Sequence, residues 1–178
     1  MAAGSFIIEY QKRMNDKLEE LYDRFGDRLY HYLFLKLGST GDAEDVLQEV
    51  FVRLSGAGLR LRFVRRLDAF AFKIARNEAL RFLGRRKARD VRRLDGSSLP
   101  GFAEAVEGPD PAEVHNLSEA LSGLPEAQRE VIVLRYFEGL SFKDIAGVCG
   151  ISENTASSRC RYGLDKLRAI MEGRHDAS

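Results

Sequence analysis

Residues 141–168, SFKDIAGVCGISENTASSRCRYGLDKLR, decide how the rest of the chain is read. Ser141 is a strong N-cap and Asp144 follows three residues later, the arrangement of a capping box. Ile145, Ala146 and Cys149 recur at helical spacing, so one face of this first helix is apolar. Gly150 can take φ > 0 and stops it. Ile151 plugs the turn, and Ser152 can cap a second helix. On that helix Ala156, Cys160, Leu164 and Leu167 fall on one side. Ser152, Glu153, Asn154, Ser157, Ser158 and Arg161 fall on the other, where a DNA major groove would lie. The pattern is that of a helix-turn-helix; taken alone, it also fits an ordinary helical hairpin inside a core.

Working outward, 44% hydrophobic and 31% charged residues in a chain of 178 describe a soluble, folded, mainly helical protein. No apolar run approaches the roughly 18 residues that span a bilayer, and the N-terminus lacks a basic-then-apolar leader pattern. A cytoplasmic location without membrane insertion is expected. Cys149 and Cys160 occupy inward positions of the helix-turn-helix, and with His31, His115 and His175 they make no metal-ligand spacing. Both cysteines read as small buried hydrophobes, and neither a metal nor another cofactor is expected. Without a nucleophile–base pair or a phosphate-cradling glycine loop, the chain does not read as an enzyme.

The formal net charge of +1 conceals a polarity along the chain. Residues 1–59 carry 7 basic and 10 acidic side chains, residues 60–93 carry 13 and 3, and residues 94–178 carry 8 and 14. Nearly half of the cations therefore lie in one segment of +10, which repels itself unless a partner or solvent offsets it. That is the electrostatic footprint of a nucleic-acid binder.

Taken in order, residues 5–37 read as helix with a candidate break near Gly26. Leu18, Leu21, Tyr22, Phe25, Leu29, Tyr32, Leu33 and Leu37 form its apolar stripe. A second helix starts around Thr40–Asp42, with either residue as cap. It buries Ala43, Val46, Leu47, Val50, Phe51 and Leu54 and presents Glu44, Asp45, Gln48 and Glu49 outward. Residues 55–58 (SGAG) form a break, and a third helix runs from Asp68 to about Asp90. There Phe70, Ile74, Ala75, Ala79, Phe82 and Leu83 are expected inward, with Lys73, Arg76, Asn77, Arg81, Arg85, Arg86 and Lys87 around them. Phe63, Phe70, Phe72 and Phe82 interleave with these cations, a composition that can stack opened bases. For Phe70 and Phe82 the core is the better reading; for Phe63 and Phe72 the two readings are balanced. Three of the four prolines fall in residues 95–113, which read as a linker. Beyond it Leu117, Leu121 and Leu124 lead to Pro125. In PEAQREVIVLRYFEG, Val131, Ile132, Leu134 and Arg135 carry an amphipathic helix that Gly139 ends.

The fold expected is all-α, with two helical domains at 1–94 and 116–173 joined by a flexible linker at 95–115. Together DAEDVLQEVFVRL, FAFKIARNEALRFLGRR, the proline-rich linker and LPEAQREVIVLRYFEGLSFKDIAGVCGISENTASSRCRYGLDKLR resemble the sigma-70 family of bacterial RNA polymerase initiation factors. The likeness covers roughly residues 18–171 and is closest to the extracytoplasmic-function (ECF) group, which keeps only regions 2 and 4.

The resemblance implies a transcription initiation factor that binds core RNA polymerase at the β′ clamp and β flap and directs it to promoter DNA. It also implies an anti-sigma factor as partner and a place on the nucleoid. Asp45, Gln48 and Glu49 match the strip that docks on the clamp. Residues 55–66 match the segment involved in strand opening. Phe63, Phe72, Arg76, Asn77, Arg81, Arg85 and Arg86 are the candidates for the −10 element. Ser152, Glu153, Asn154, Thr155, Ser157, Ser158, Arg159 and Arg161 are those for the −35 element, with Thr155 and Arg159 holding phosphates. The chain departs from the family pattern in having no tryptophan: Ser55 and Phe70 stand where the family usually has one. Ser157 replaces a common basic residue and Ala156 a branched aliphatic, which lowers the phosphate contribution expected upstream. The alternative is a helix-turn-helix regulator outside the sigma class, for which the basic segment at 60–93 has no evident use.

Overall fold

The computed structural model describes residues 2–57, 64–90, 117 and 120–175. Every regular element among them is helical, and the chain divides into two compact units between Ser97 and Ser98. The first unit holds α1 (Ala2–Leu37), α2 (Thr40–Ala57) and α3 (Leu67–Asp90), each packed on the other two. The second holds α4 (Glu126–Ile132), which runs into a π-helical turn (Val133–Phe137), then α5 (Phe142–Cys149) and α6 (Glu153–His175). The linker expected at 95–115 and Phe63 lie outside the described residues.

Helix α1 is unbroken at Gly26. A Cβ on Gly26 would meet the Tyr22 ring, one turn earlier, at an ordinary contact distance of 3.4 Å. Tyr22 itself was expected inward. It is 56% exposed and reaches across to Phe51, ring centroids 5.2 Å apart. The rest of the described stripe (Leu21, Phe25, Leu29, Tyr32, Leu33, Leu37) is buried, and so are all six apolar residues expected of α2. The cap of α2 is Ser39, one residue before the expected positions. Its Oγ accepts the Asp42 N–H at 3.3 Å, and its carbonyl accepts the Ala43 N–H at 3.0 Å.

In α3 the buried stripe is Ala71, Phe72, Ala75 and Ala79, with Glu78 beside it. Ala75 and Ala79 agree with the sequence pattern. Phe70, Ile74, Phe82 and Leu83 are only half-buried, so the stripe is rotated from the expected one. Phe72 sets the rotation. It is fully buried, meets Tyr32 edge-on at 5.5 Å and lies under the Arg28 guanidinium at 5.4 Å.

Ion pairs among the described residues tie the first unit together. Arg24 and Arg28 of α1 reach Asp68 in the first turn of α3, at 3.4 and 3.1 Å. Arg53 of α2 and Arg81 of α3 both pair with the buried Glu78 carboxylate. Arg86, near the end of α3, pairs with Asp42 at the start of α2 at 3.0 Å. A carboxylate as buried as Glu78 is tolerated because two guanidiniums hold it.

The second unit relies on close approach. Residues 130–134 are buried without interruption, which an α-helix with 3.6 residues per turn cannot present to one neighbour. The π turn widens the helix there, and the Glu138 N–H reaches back five residues to the Val133 carbonyl at 3.2 Å. Gly163 of α6 faces this segment. A Cβ there would stand 2.7 Å from Ile132 Cδ1 and 3.1 Å from Gln128 Cβ, so glycine sets the distance between α4 and α6.

Candidate nucleic-acid interface

The turn between α5 and α6 is built as its sequence implies. Ser141 Oγ accepts the Asp144 N–H and the Asp144 carboxylate accepts the Ser141 N–H, each at 3.2 Å, closing a capping box. Gly150 is left-handed (φ 69°, ψ 36°), and its N–H caps α5 on the Ala146 carbonyl. Ser152 Oγ accepts the Thr155 N–H at 3.0 Å and lies 2.7 Å from Thr155 Oγ1, fixing the start of α6. Arg135 braces the entrance to α5 from the π turn: it donates to the Leu140 carbonyl at 3.0 Å and stacks over Phe142 at 5.0 Å.

From that start α6 buries Ala156, Cys160 and Gly163 and shows the opposite face to solvent. Ser152, Glu153, Asn154, Ser157 and Arg161 are exposed, whereas Thr155, Ser158 and Arg159 are half-buried. Tyr162 belongs to the same exposed surface and was not among the sequence candidates. It is 56% exposed, carries the Arg161 guanidinium over its ring at 5.0 Å and accepts an Arg161 N–H at its hydroxyl at 3.3 Å. The adjacent Arg-Tyr in the sequence was the available signal. Burial pushes the Cys160 thiol up from its ordinary range, against the opposing influence of Arg135 and a hydrogen bond with Tyr136. Cys149 is also buried, and among the described residues no cluster of His, Cys, Asp and Glu could hold a metal.

The exposed face of α3 is cationic, but its cations divide. Lys73, Arg85 and Lys87 are exposed and make no ion pair to another described residue, and the neutral Asn77 is exposed beside them. Arg81 and Arg86 are engaged with Glu78 and Asp42, and the half-buried Arg76 also has an intramolecular partner. Phe72 needs correction as a candidate base-stacking residue. Its ring is in the core, and reaching a base would mean vacating it.

On α2, Asp45, Gln48 and Glu49 are all exposed, side by side. Next to Gln48 opens a groove of about 530 Å³ between α1 and α2, with Leu47 and Phe51 among its lining and Asp27 and Glu44 as its acidic members. Tyr22 and Val52, exposed by 56% and 65%, extend its apolar surface. Period counting could not find this groove, because it depends on the Tyr22 ring lying over Gly26. Among the described residues, no helix is long and apolar enough to cross a membrane.

The fold and these surfaces define a helical DNA-binding protein of two units, one with a cationic helix and one with a helix-turn-helix. Comparison with known proteins makes the class specific. The family model for sigma-70 region 2 matches residues 21–89 and that for sigma-70 region 4 matches residues 120–169. The chain is 30% identical over 134 residues to the ECF RNA polymerase sigma factor EcfG of Rhodopseudomonas palustris, covering 75% of this chain and 74% of that one. It is 28% identical over 164 residues to the RNA polymerase sigma factor SigZ of Bacillus subtilis, covering 88% of each. Among solved structures, the sigma factor RpoE in complex with the anti-sigma factor NepR from Bartonella quintana superposes with a TM-score of 0.76 at 25% identity, covering 88% of this chain and 97% of that one. The chain belongs to the sigma-70 family of RNA polymerase sigma factors, in its ECF group.

Proposed function

We infer that the protein is a transcription initiation factor that binds core RNA polymerase and directs it to specific promoters, region 2 opening and reading the −10 element and region 4 reading the −35 element. The observation that carries this reading is the presence in one chain of both family modules, at residues 21–89 and 120–169. Residues 1–94 form the region 2 domain and 116–173 the region 4 domain, with 95–115 as linker. The factor works in the cytoplasm on the nucleoid, by binding and not by catalysis.

Asp45, Gln48 and Glu49 dock on the β′ clamp, and the groove beside Gln48 adds apolar area to that acidic surface. On α3, Asn77 and Arg85, with Lys73 and Lys87 alongside, meet the −10 strand. Arg86 chiefly holds α3 in place through Asp42 of α2, whereas Arg81 pairs with Glu78 within α3 and keeps further N–H donors for the strand. On α6, Ser152, Glu153, Asn154, Ser157, Ser158 and Arg161 face the major groove, joined by Tyr162, while Thr155 and Arg159 take phosphates. Region 4 also meets the β flap. An anti-sigma factor is the expected inhibitor, as NepR and CnrY accompany structurally similar chains.

In vitro transcription tests the reading: core polymerase, this protein and a genomic fragment library, with start sites mapped. The expected result is factor-dependent starts that share two upstream sequence blocks. Transcription from the library that does not depend on the factor would overturn it. Asp45→Ala with Glu49→Ala should abolish capture of core polymerase; capture at the wild-type level would remove the docking assignment.

A further inference from the structure

One residue on the exposed face of α3 has no intramolecular reason to be what it is. Gly84 stands well inside the 24-residue α3. A Cβ added there would meet nothing within 4 Å, and Gly84 is not among the glycines with positive φ. In the interior of a helix such a glycine is destabilising relative to alanine. Gly163 differs, since Ile132 and Gln128 of a neighbouring helix occupy the space a side chain would need. A hinge does not explain Gly84 either. Helix α3 continues unbroken through it, and Arg86 just beyond is anchored to Asp42 of α2.

Its helix-surface neighbours, three and four residues away, are Leu80, Arg81, Lys87 and Ala88. Leu80 is 41% exposed and is the large hydrophobic residue that α3 leaves to solvent among the described residues. Arg81 and Lys87 are exposed as well, and Arg81, although paired through one nitrogen, retains further N–H donors in its guanidinium. The surface is thus a patch of bare backbone with an apolar side chain on one side and cations before and after it.

We propose that Gly84 and Leu80 form a contact trough for the sugar–phosphate backbone of a promoter DNA strand. The missing side chain lets a deoxyribose approach the helix, Leu80 covers the sugar's apolar face, and Arg81 and Lys87 meet flanking phosphates. The inference rests on α3 facing DNA, as read above. Contacts of this kind position the strand without reading its sequence, so their loss should weaken different promoters alike.

The test compares full-length Gly84→Ala, Gly84→Leu and Arg85→Ala, each assembled with core polymerase. A fragment from the start-site mapping, pre-melted across the −10 block, serves as probe. Gly84→Ala should raise the melting temperature of the free protein and yet lower affinity for the fragment. Gly84→Leu should lower affinity by about tenfold or more, the loss of a contact rather than of the fold. All three variants should capture core polymerase as the wild type does. Wild-type affinity for Gly84→Leu, together with a weakened Arg85→Ala, would overturn the trough and leave the −10 reading standing. Wild-type affinity for both would overturn the trough and the α3 reading together.

Discussion

The two helical units hold themselves together by different means, and the difference bears on which residues are available for function. The first unit, with a long cationic helix, uses ion pairs between helices: Arg24 and Arg28 with Asp68, Arg53 with Glu78, Arg86 with Asp42. The second uses caps and close approach: the Ser141–Asp144 box, the left-handed Gly150, the Ser152 cap and the bare Cα of Gly163 against Ile132. In the first unit, therefore, an arginine's presence in the sequence does not say whether it holds the fold or a partner. In the second, the residues that shape the helix-turn-helix and those that face outward are different residues, except Ser152, which caps α6 and is itself exposed.

The strongest way to break this comparison is at Phe72, whose ring lies at the meeting point of α1 and α3. Phe72→Ala should cost the first unit about 3–5 kcal/mol in a denaturant titration, as for other buried phenylalanines. Phe72→Leu, which keeps apolar volume but cannot stack a base, should retain promoter binding. A selective loss of binding in the leucine variant would return Phe72 to the DNA surface. Next in size is Gly163. Gly163→Val forces α6 away from Ile132 and Gln128, and about 3 kcal/mol of the second unit's stability should be lost, with the first unit's transition unmoved. An unchanged second transition would mean that the two helices are not in close contact there.

The smallest effect is a pH dependence. The Cys160 thiol is held above its ordinary range by burial, so the unfolded chain ionises first as pH rises. The stability from keeping that thiol neutral is complete below the ordinary thiol range, about 8.5, and declines from there up through the folded value. The wild type should lose stability across that window relative to Cys160→Val. Parallel pH profiles for the two proteins would contradict the burial of a neutral thiol.

The helix-turn-helix was legible because its signals are local. Ser141, Asp144, Gly150 and Ser152 each act on backbone groups within four residues, and all take the expected roles. Signals that depend on distant residues were misread or missed. Aromatic and basic residues interleaved along 63–87 cannot say which side of α3 faces inward; Tyr32 and Arg28, forty residues away, decide it for Phe72. The exposed Tyr22 keeps the apolar period of α1 but lies over Gly26 toward Phe51. The π turn was hidden because Val131–Leu134 reads as an interrupted α-helical stripe, and its five-residue hydrogen bond has no composition of its own. The buried Glu78 went unnoticed because the arginines beside it also looked like a DNA surface.

At the centre of this account is a division of the α3 arginines between holding the fold and holding DNA, and neighbours test it most directly. The measurement is the salt dependence of promoter-fragment binding by the polymerase-bound factor, for Arg85→Ala and Arg86→Ala, alongside the melting temperature of each free variant. Arg85→Ala should reduce the slope of log affinity against log salt by about 1 and leave melting unchanged. Arg86→Ala, which frees Asp42 at the start of α2, should lower the melting temperature and leave the slope unchanged. A slope that falls for Arg86→Ala and not for Arg85→Ala would contradict the division.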